Sequence, residues 1–165
     1  MKTIRVKKLS LDAFSPFGSF TNMVNPNTIR IGEEPIEFFR DMAQLDLGAS
    51  TIASLSVCRV LNRPLIVDVS EFHNACGEGI LPLDADILIH VAPAGPEAEL
   101  PVDRVEIFRV PRGTLVCLRP GVWHHAPFVL DASVANTLII LPERTYARDC
   151  HVFQIPEQKR LQIKI

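Results

Sequence analysis

Residues 71–83 read EFHNACGEGILPL, and this stretch decides the fold class. Side chains two apart on a β-strand share a face, so Glu71 and His73 are predicted to point to the same side. Residues 74–77 (Asn-Ala-Cys-Gly) predict a four-residue hairpin loop, which would set His73 opposite Glu78 on the paired strand. We therefore expect Glu71, His73 and Glu78 to converge around one point in a β structure.

A second polar stretch lies at residues 119–128, which read RPGVWHHAPF. Adjacent residues of a strand point in opposite directions, so His124 and His125 do not both face the interior unless the backbone bulges. One of the two histidines would complete a site with His73 and Glu78. Two imidazoles and a carboxylate with open positions form a set that binds a divalent transition metal.

Short apolar segments, separated by proline, glycine, aspartate and asparagine, make up most of the remaining chain. This pattern predicts an all-β, antiparallel barrel or jelly roll with a few short helices. We expect one domain over residues 1–165, a helical turn at Ser10–Phe14 and an irregular loop over 21–35. The predicted strands are 4–6, 51–60, 65–71, 79–83, 87–91, 104–110, 115–119, 134–141 and 151–155.

Composition and charge narrow the classes of function. The chain has 17 basic and 19 acidic residues, a net charge of -2 and no Lys/Arg cluster, so nucleic acid is not an expected partner. It has no apolar run of about 18 residues, so no contact with a membrane is expected. The four cysteines are widely spaced and no export signal is recognisable, which favours reduced thiols and a cytoplasmic location.

The two polar stretches together resemble the two motifs of the cupin superfamily. Glu71-x-His73-x4-Glu78 has the spacing of the first motif, with Glu71 where the first histidine usually stands. Gly113 followed by Pro120-Gly121 and His124 comes close to the second motif, with the proline shifted by one position. The resemblance implies a small barrel with a metal held by His73, Glu78 and His124.

A closer resemblance is to the ureidoglycolate lyase family. It rests on residues 13–18 (AFSPFG), 71–73 (EFH), 81–83 (LPL), 122–128 (VWHHAPF), 149–152 (DCHV) and 155–157 (IPE), which reach both ends of the chain in order. The resemblance implies a C–N lyase that cleaves ureidoglycolate to glyoxylate and urea in allantoin catabolism. It also implies a homodimer and a divalent metal, with nickel first and manganese, iron and zinc as alternatives.

The chemistry of this substrate predicts further site residues. A proton must leave the substrate hydroxyl, and either Glu71 or His125 is expected to transfer it, with Glu71 favoured by its position. The substrate carboxylate fits a guanidinium, and Arg59 is the first candidate because it continues an apolar row that we expect to point inward. Arg119 is the second candidate, and His90 is expected to be a core or interface histidine.

Two alternatives remain open from the sequence. One is another metal-dependent cupin enzyme that acts on a small hydroxy acid or a sugar. The other is a non-catalytic cupin that binds a small molecule. The lyase family carries a glutamine near the place of Glu78, which leaves open a relative with an altered substrate.

Overall fold

The computed structural model describes residues 1–96 and 99–165, which form a mainly β structure. The helices in these residues are single turns, α1 (Leu11–Phe14) and α2 (Thr145–Arg148), with 3-10 turns at Val102–Arg104 and Glu157–Lys159. The strands are β1 (Lys2–Lys8), β2 (Gly18–Asn22), β3 (Arg30–Glu33), β4 (Ile36–Phe39), β5 (Ala53–Leu61), β6 (Ile66–Val67), β7 (Val69–Phe72), β8 (Glu78–Pro82), β9 (Ile87–Val91), β10 (Glu106–Val110), β11 (Thr114–Leu118), β12 (Phe128–Val129), β13 (Val134–Pro142), β14 (His151–Gln154) and β15 (Leu161–Lys164).

Two larger sheets enclose the barrel interior. One has six strands in the order β12-β9-β10-β1-β15-β6, and the other has five in the order β2-β11-β8-β13-β5. A buried apolar cluster draws residues from both sheets, including Ile80 and Val116 from one and Ile89 and Phe108 from the other. Burial of such side chains is the main favourable term in folding. The prediction of a mainly β structure with a few short helices is confirmed.

Strand β9 is buried on both faces of its sheet, and this explains why four of its five residues are apolar. Ile87, Ile89 and Val91 point into the barrel interior. Leu88 and Ala92 point the other way, into a second apolar cluster that includes Trp123. His90 lies between Leu88 and Ala92 in sequence and shares their face, which confirms it as a core histidine.

Several predicted boundaries need correction. The predicted strand over residues 65–71 is split into β6 and β7, which belong to different sheets. The loop expected over 21–35 contains β3, which pairs with β4 as an exposed hairpin. The antiparallel prediction holds for most pairs, but β1 runs parallel to both β10 and β15. None of the helices in the described residues has the length and apolar character of a membrane span.

The predicted hairpin between His73 and Glu78 is wrong. β7 pairs with β14, whereas β8 pairs with β11 and β13, so the chain crosses from one sheet to another. The turn that makes this crossing is held by distant segments instead of by a partner strand. The carboxylate of Asp149 accepts the backbone N–H groups of Asn74 and Ala75, at 2.9 and 2.8 Å. The crossing carries His73 and Glu78 to the same end of the barrel.

Candidate active site

Three of the residues predicted as ligands meet in the interior. Glu78 Oε2 lies 3.0 Å from Nε2 of His73 and 3.0 Å from Nε2 of His124. All three side chains are buried, with 2–5% of each residue exposed. The structure therefore brings His73, Glu78 and His124 together, by strand crossing and not by the predicted hairpin.

Backbone hydrogen bonds hold the two polar stretches at a fixed distance from each other. Glu71 and His124 form an isolated antiparallel bridge, with Glu71 N–H donating to the His124 carbonyl at 2.6 Å and the reverse bond at 2.8 Å. Gly121 N–H donates to the His73 carbonyl at 2.6 Å, and Gly121 has a φ of +78°, which favours glycine. These bonds fix the two histidine-bearing segments side by side.

Both imidazoles are oriented by backbone carbonyls. His73 Nδ1 donates to the Asp149 carbonyl at 2.6 Å, and His124 Nδ1 donates to the Val122 carbonyl at 2.8 Å. A hydrogen bond at Nδ1 turns Nε2 toward the centre of the cluster. This is the outer contact that metal-ligating histidines ordinarily have.

The cluster is strongly charged. Burial alone would raise the pKa of Glu78, but the adjacent His124 and His73 outweigh burial and lower it to about 2. Burial alone would lower the pKa of His124, but the charge and hydrogen bond of Glu78 raise it to about 9. Near pH 7, without a metal, Glu78 is a carboxylate and His124 is an imidazolium.

Glu71 also belongs to this cluster. One ligand atom from each of Glu71, His73 and His124 lies within 4.8 Å of the other two, a spacing that suits a shared metal ion. Glu71 Oε2 accepts a hydrogen bond from the Cys150 thiol at 3.2 Å, and burial and Glu71 raise the pKa of that thiol to about 12. Glu71 is thus a fourth potential donor beside the predicted three.

A cavity of about 250 Å³ opens onto the cluster. Both Glu71 and Glu78 line it, and so does His125, because the chain leaves the strand pairing after His124. Within the described residues, His125 Nδ1 is buried without a hydrogen-bond partner. Burial lowers the pKa of His125, which makes the neutral imidazole the dominant form at pH 7. His125 therefore lines the cavity directly, whereas His124 contacts Glu78 in the cavity wall.

The two predicted arginines lie elsewhere. Arg59 is on the exposed face of β5, where its Nε donates to Asn136 Oδ1 at 2.9 Å. The expected inward direction is wrong, because Cys58, one position earlier, faces the cavity. Arg119 donates to the Ser15 carbonyl and borders a separate surface depression. Neither guanidinium lines the cavity.

Other residues around the site were not predicted. The Asp149 carbonyl accepts a hydrogen bond from His73, and the Asp149 carboxylate accepts one from the backbone of the turn that follows His73. Tyr146, on α2, lines the cavity, and its ring centroid is 6.0 Å from that of His73. Arg63 donates to the carbonyls of Ala126 and Pro127, which line the cavity just after His125. The motif residues 149–152 were a signal for Asp149, but nothing in the sequence points to Tyr146 or Arg63.

Comparison with known proteins identifies the family. The family model described as Ureidoglycolate lyase matches residues 1–163. The chain belongs to the ureidoglycolate lyase family. The ureidoglycolate lyase of Burkholderia cepacia is 33% identical over 142 residues, which cover 83% of this chain and 78% of that protein. The ureidoglycolate lyase of Pseudomonas syringae pv. tomato is 26% identical over 165 residues, with 98% and 95% covered.

A solved structure is also similar to this ureidoglycolate lyase family member. The crystal structure of a dTDP sugar isomerase from Desulfovibrio desulfuricans G20 has a TM-score of 0.49 and 14% sequence identity. The similarity covers 86% of this chain and 87% of that chain.

Proposed function

We propose that this protein is a ureidoglycolate lyase that cleaves the C–N bond of ureidoglycolate, giving glyoxylate and urea as a late step of allantoin catabolism. The observation that carries the proposal is the family match over residues 1–163. The site supports it, because the buried cluster of Glu78 and two histidines opens onto a cavity of about 250 Å³. That volume is below the roughly 300–1,000 Å³ of pockets for drug-sized ligands and suits a small acid.

We further propose that a divalent metal binds at this cluster. The Nε2 atoms of His73 and His124 are directed inward by their Nδ1 contacts. Glu78 Oε2 lies 3.0 Å from each of them, and a Glu71 oxygen lies within 4.8 Å of ligand atoms of both histidines. Two imidazoles with carboxylates suit nickel, which is our first candidate, and also manganese, iron or zinc. When bound, such a metal would supply Lewis acidity toward the carboxylate and hydroxyl of the substrate.

His125 is our candidate for the proton-transfer residue, in preference to Glu71. Its neutral imidazole lines the cavity, and its Nδ1 has no hydrogen-bond partner among the described residues. Glu71, in contrast, contributes to the donor cluster and accepts a hydrogen bond from the Cys150 thiol. His125 would take the proton of the substrate hydroxyl as the C=O bond of glyoxylate forms. The electron pair of the breaking C–N bond would go to nitrogen, which would receive the proton back from His125 to complete urea.

Product analysis tests this proposal. The purified protein is incubated with ureidoglycolate, and glyoxylate, urea and ammonia are quantified together. Equal amounts of glyoxylate and urea support the lyase reaction. Ammonia in place of urea would indicate hydrolysis at another bond, and no turnover with any of the four metals would redirect the search to another small hydroxy acid, a sugar or a binding role.

We also propose that the protein is a homodimer that pairs through the outer face of β5. β5 is the edge strand of its sheet, and Leu55, Val57 and Leu61 on its outer face are 60–66% exposed. An exposed apolar patch of this kind is a surface that can pack against a second chain, and a two-fold axis makes such a contact self-complementary. The four cysteines are free thiols, which supports our expectation of a cytoplasmic location.

A further inference from the structure

A buried hydrogen-bond chain runs from the second apolar cluster to the candidate metal centre. His90 and Ser70 are 1% and 0% exposed. His90 Nε2 lies 3.0 Å from Ser70 Oγ, and Ser70 Oγ donates to the backbone carbonyl of His124 at 3.1 Å. Neither side chain lines the cavity or enters the proposed proton transfer. Buried polar groups of this kind usually have a role that explains their cost.

The chain of bonds determines which nitrogen of His90 carries the proton. The Ser70 hydroxyl has a single hydrogen, which it gives to the His124 carbonyl. His90 Nε2 must then donate to Ser70 Oγ, so its ring carries hydrogen at Nε2. Nδ1 is left as a bare lone pair, and it has no partner in the part of the chain that the structure describes. Burial lowers the pKa of His90 well below its ordinary value, so the ring is neutral.

The acceptor at the end of this hydrogen-bond chain is the His124 carbonyl, which also belongs to the bridge between Glu71 and His124. The His124 carbonyl accepts two bonds, one from the Ser70 hydroxyl and one from Glu71 N–H at 2.6 Å. The second bond is half of the bridge that aligns the segments of Glu71 and His124. A change in the peptide that carries this carbonyl would move the His124 imidazole on one side and the His125 backbone on the other.

We propose that His90, acting through Ser70, is a positioning residue that fixes the His124 peptide and so the arrangement of metal donors. The proposal rests on the proposed function in taking this cluster as the metal centre. Outer contacts of metal ligands typically change metal affinity by about 10–100-fold when removed. We expect a similar loss here, although His90 touches neither the metal donors nor the cavity.

The positioning role of His90 and Ser70 is tested by comparing the nickel affinity of paired variants. Ser70→Ala removes the donor to His124, and Thr137→Val is its matched control, because the Thr137 hydroxyl is also fully buried but has no partner among the described residues. Calorimetric titration of nickel into metal-stripped protein should show about tenfold weaker binding for Ser70→Ala and wild-type binding for Thr137→Val. His90→Gln, which keeps an N–H near the Nε2 position, should bind more tightly than His90→Leu. Equal affinity in Ser70→Ala and wild type would overturn the proposal.

Two readouts need neither metal nor substrate, and they separate this proposal from the proposed function. In metal-stripped protein, exchange of the Glu71 amide hydrogen should be faster in Ser70→Ala than in Thr137→Val. In wild type, ¹⁵N NMR should show His90 protonated at Nε2 and not at Nδ1, a result that does not depend on whether His90→Leu folds. Protonation at Nδ1, or unchanged Glu71 exchange, would overturn the positioning role. Failure of the lyase proposal would appear instead as absent turnover in wild type with these signals intact.

Discussion

Glu78→Gln keeps the shape of a buried side chain but removes its charge, and we expect it to destabilise the metal-free protein. Glu78 Oε2 lies 3.0 Å from both imidazole Nε2 atoms. Although burial opposes it, the charge and hydrogen bond of Glu78, together with the Val122 carbonyl and Glu71, raise the pKa of His124 from 6.5 to about 9. A rise of that size corresponds to about 3 kcal/mol, most of which glutamine cannot supply because it carries no charge. The value agrees with the roughly 3–5 kcal/mol lost when one partner of a buried ion pair is removed.

The two pKa shifts determine the pH range in which Glu78→Gln should be most destabilising. The stability that comes from the raised pKa of His124 is fully present below pH 6.5 and is lost as the pH rises through about 9. The lowered pKa of Glu78 means that the same pair is lost at the acid end, as the pH falls from 4.5 through about 2. The difference between wild type and Glu78→Gln should therefore be largest between these windows, at about pH 4.5–6.5.

Urea unfolding in the presence of a chelator measures the effect. The free energy of unfolding should differ by about 3 kcal/mol at about pH 6 and by much less at about pH 9.5. Glu143→Gln is the control, because Glu143 is an exposed carboxylate and its replacement should change little. An equal difference between wild type and Glu78→Gln at both pH values would refute the ion-pair reasoning.

Three other predictions follow from the site and the surface. Nickel affinity should rise with pH up to about 9, because the metal must displace the proton of His124. Calorimetry in two buffers should detect about one proton released, and a pH-independent affinity would contradict this prediction. His125→Gln should bind nickel like wild type but turn over ureidoglycolate about 10²–10⁴-fold more slowly, and retained turnover would exclude His125 from the chemistry. Val57→Glu should produce a monomer in light scattering, whereas Val152→Glu, at a similarly exposed position on β14, should leave the dimer intact. A dimeric Val57→Glu protein would locate the interface elsewhere.

Local patterns predicted most of the strands. The Ile87–Val91 strand is found at its predicted bounds, because an apolar β-branched run buried on both faces has few alternatives. The Ser10 N-cap also marked α1, and its hydroxyl accepts from Ala13 N–H at 3.3 Å. The β3–β4 hairpin was missed because its side chains are largely exposed and carry no burial pattern. The parallel pairing of β1 joins strands that are far apart in the chain, which spacing alone does not reveal.

The sequence predicted that His73, Glu78 and His124 lie together, but it did not predict their surroundings. The motif pattern singled out His73, Glu78 and His124, but they meet through a strand crossing that the spacing did not predict. The direction of Arg59 was misjudged because the row Leu55–Val57 is apolar yet exposed, so hydrophobicity did not distinguish inside from outside. The Asp149 carbonyl, 76 positions from His73, reaches it only through the β7–β14 pairing. Contacts of that separation depend on the whole topology.

The most direct test of the account is a nickel titration of metal-stripped protein in which ureidoglycolate turnover is followed at each addition. If the cluster of His73, Glu78 and His124 is the metal centre of a lyase, turnover should rise from zero and level off at about one nickel per chain. His124→Ala should stay inactive throughout the same titration, and Arg59→Gln, on the outer face, should match wild type. Full turnover before any metal is added, or a wild-type response from His124→Ala, would contradict the assignment of this cluster.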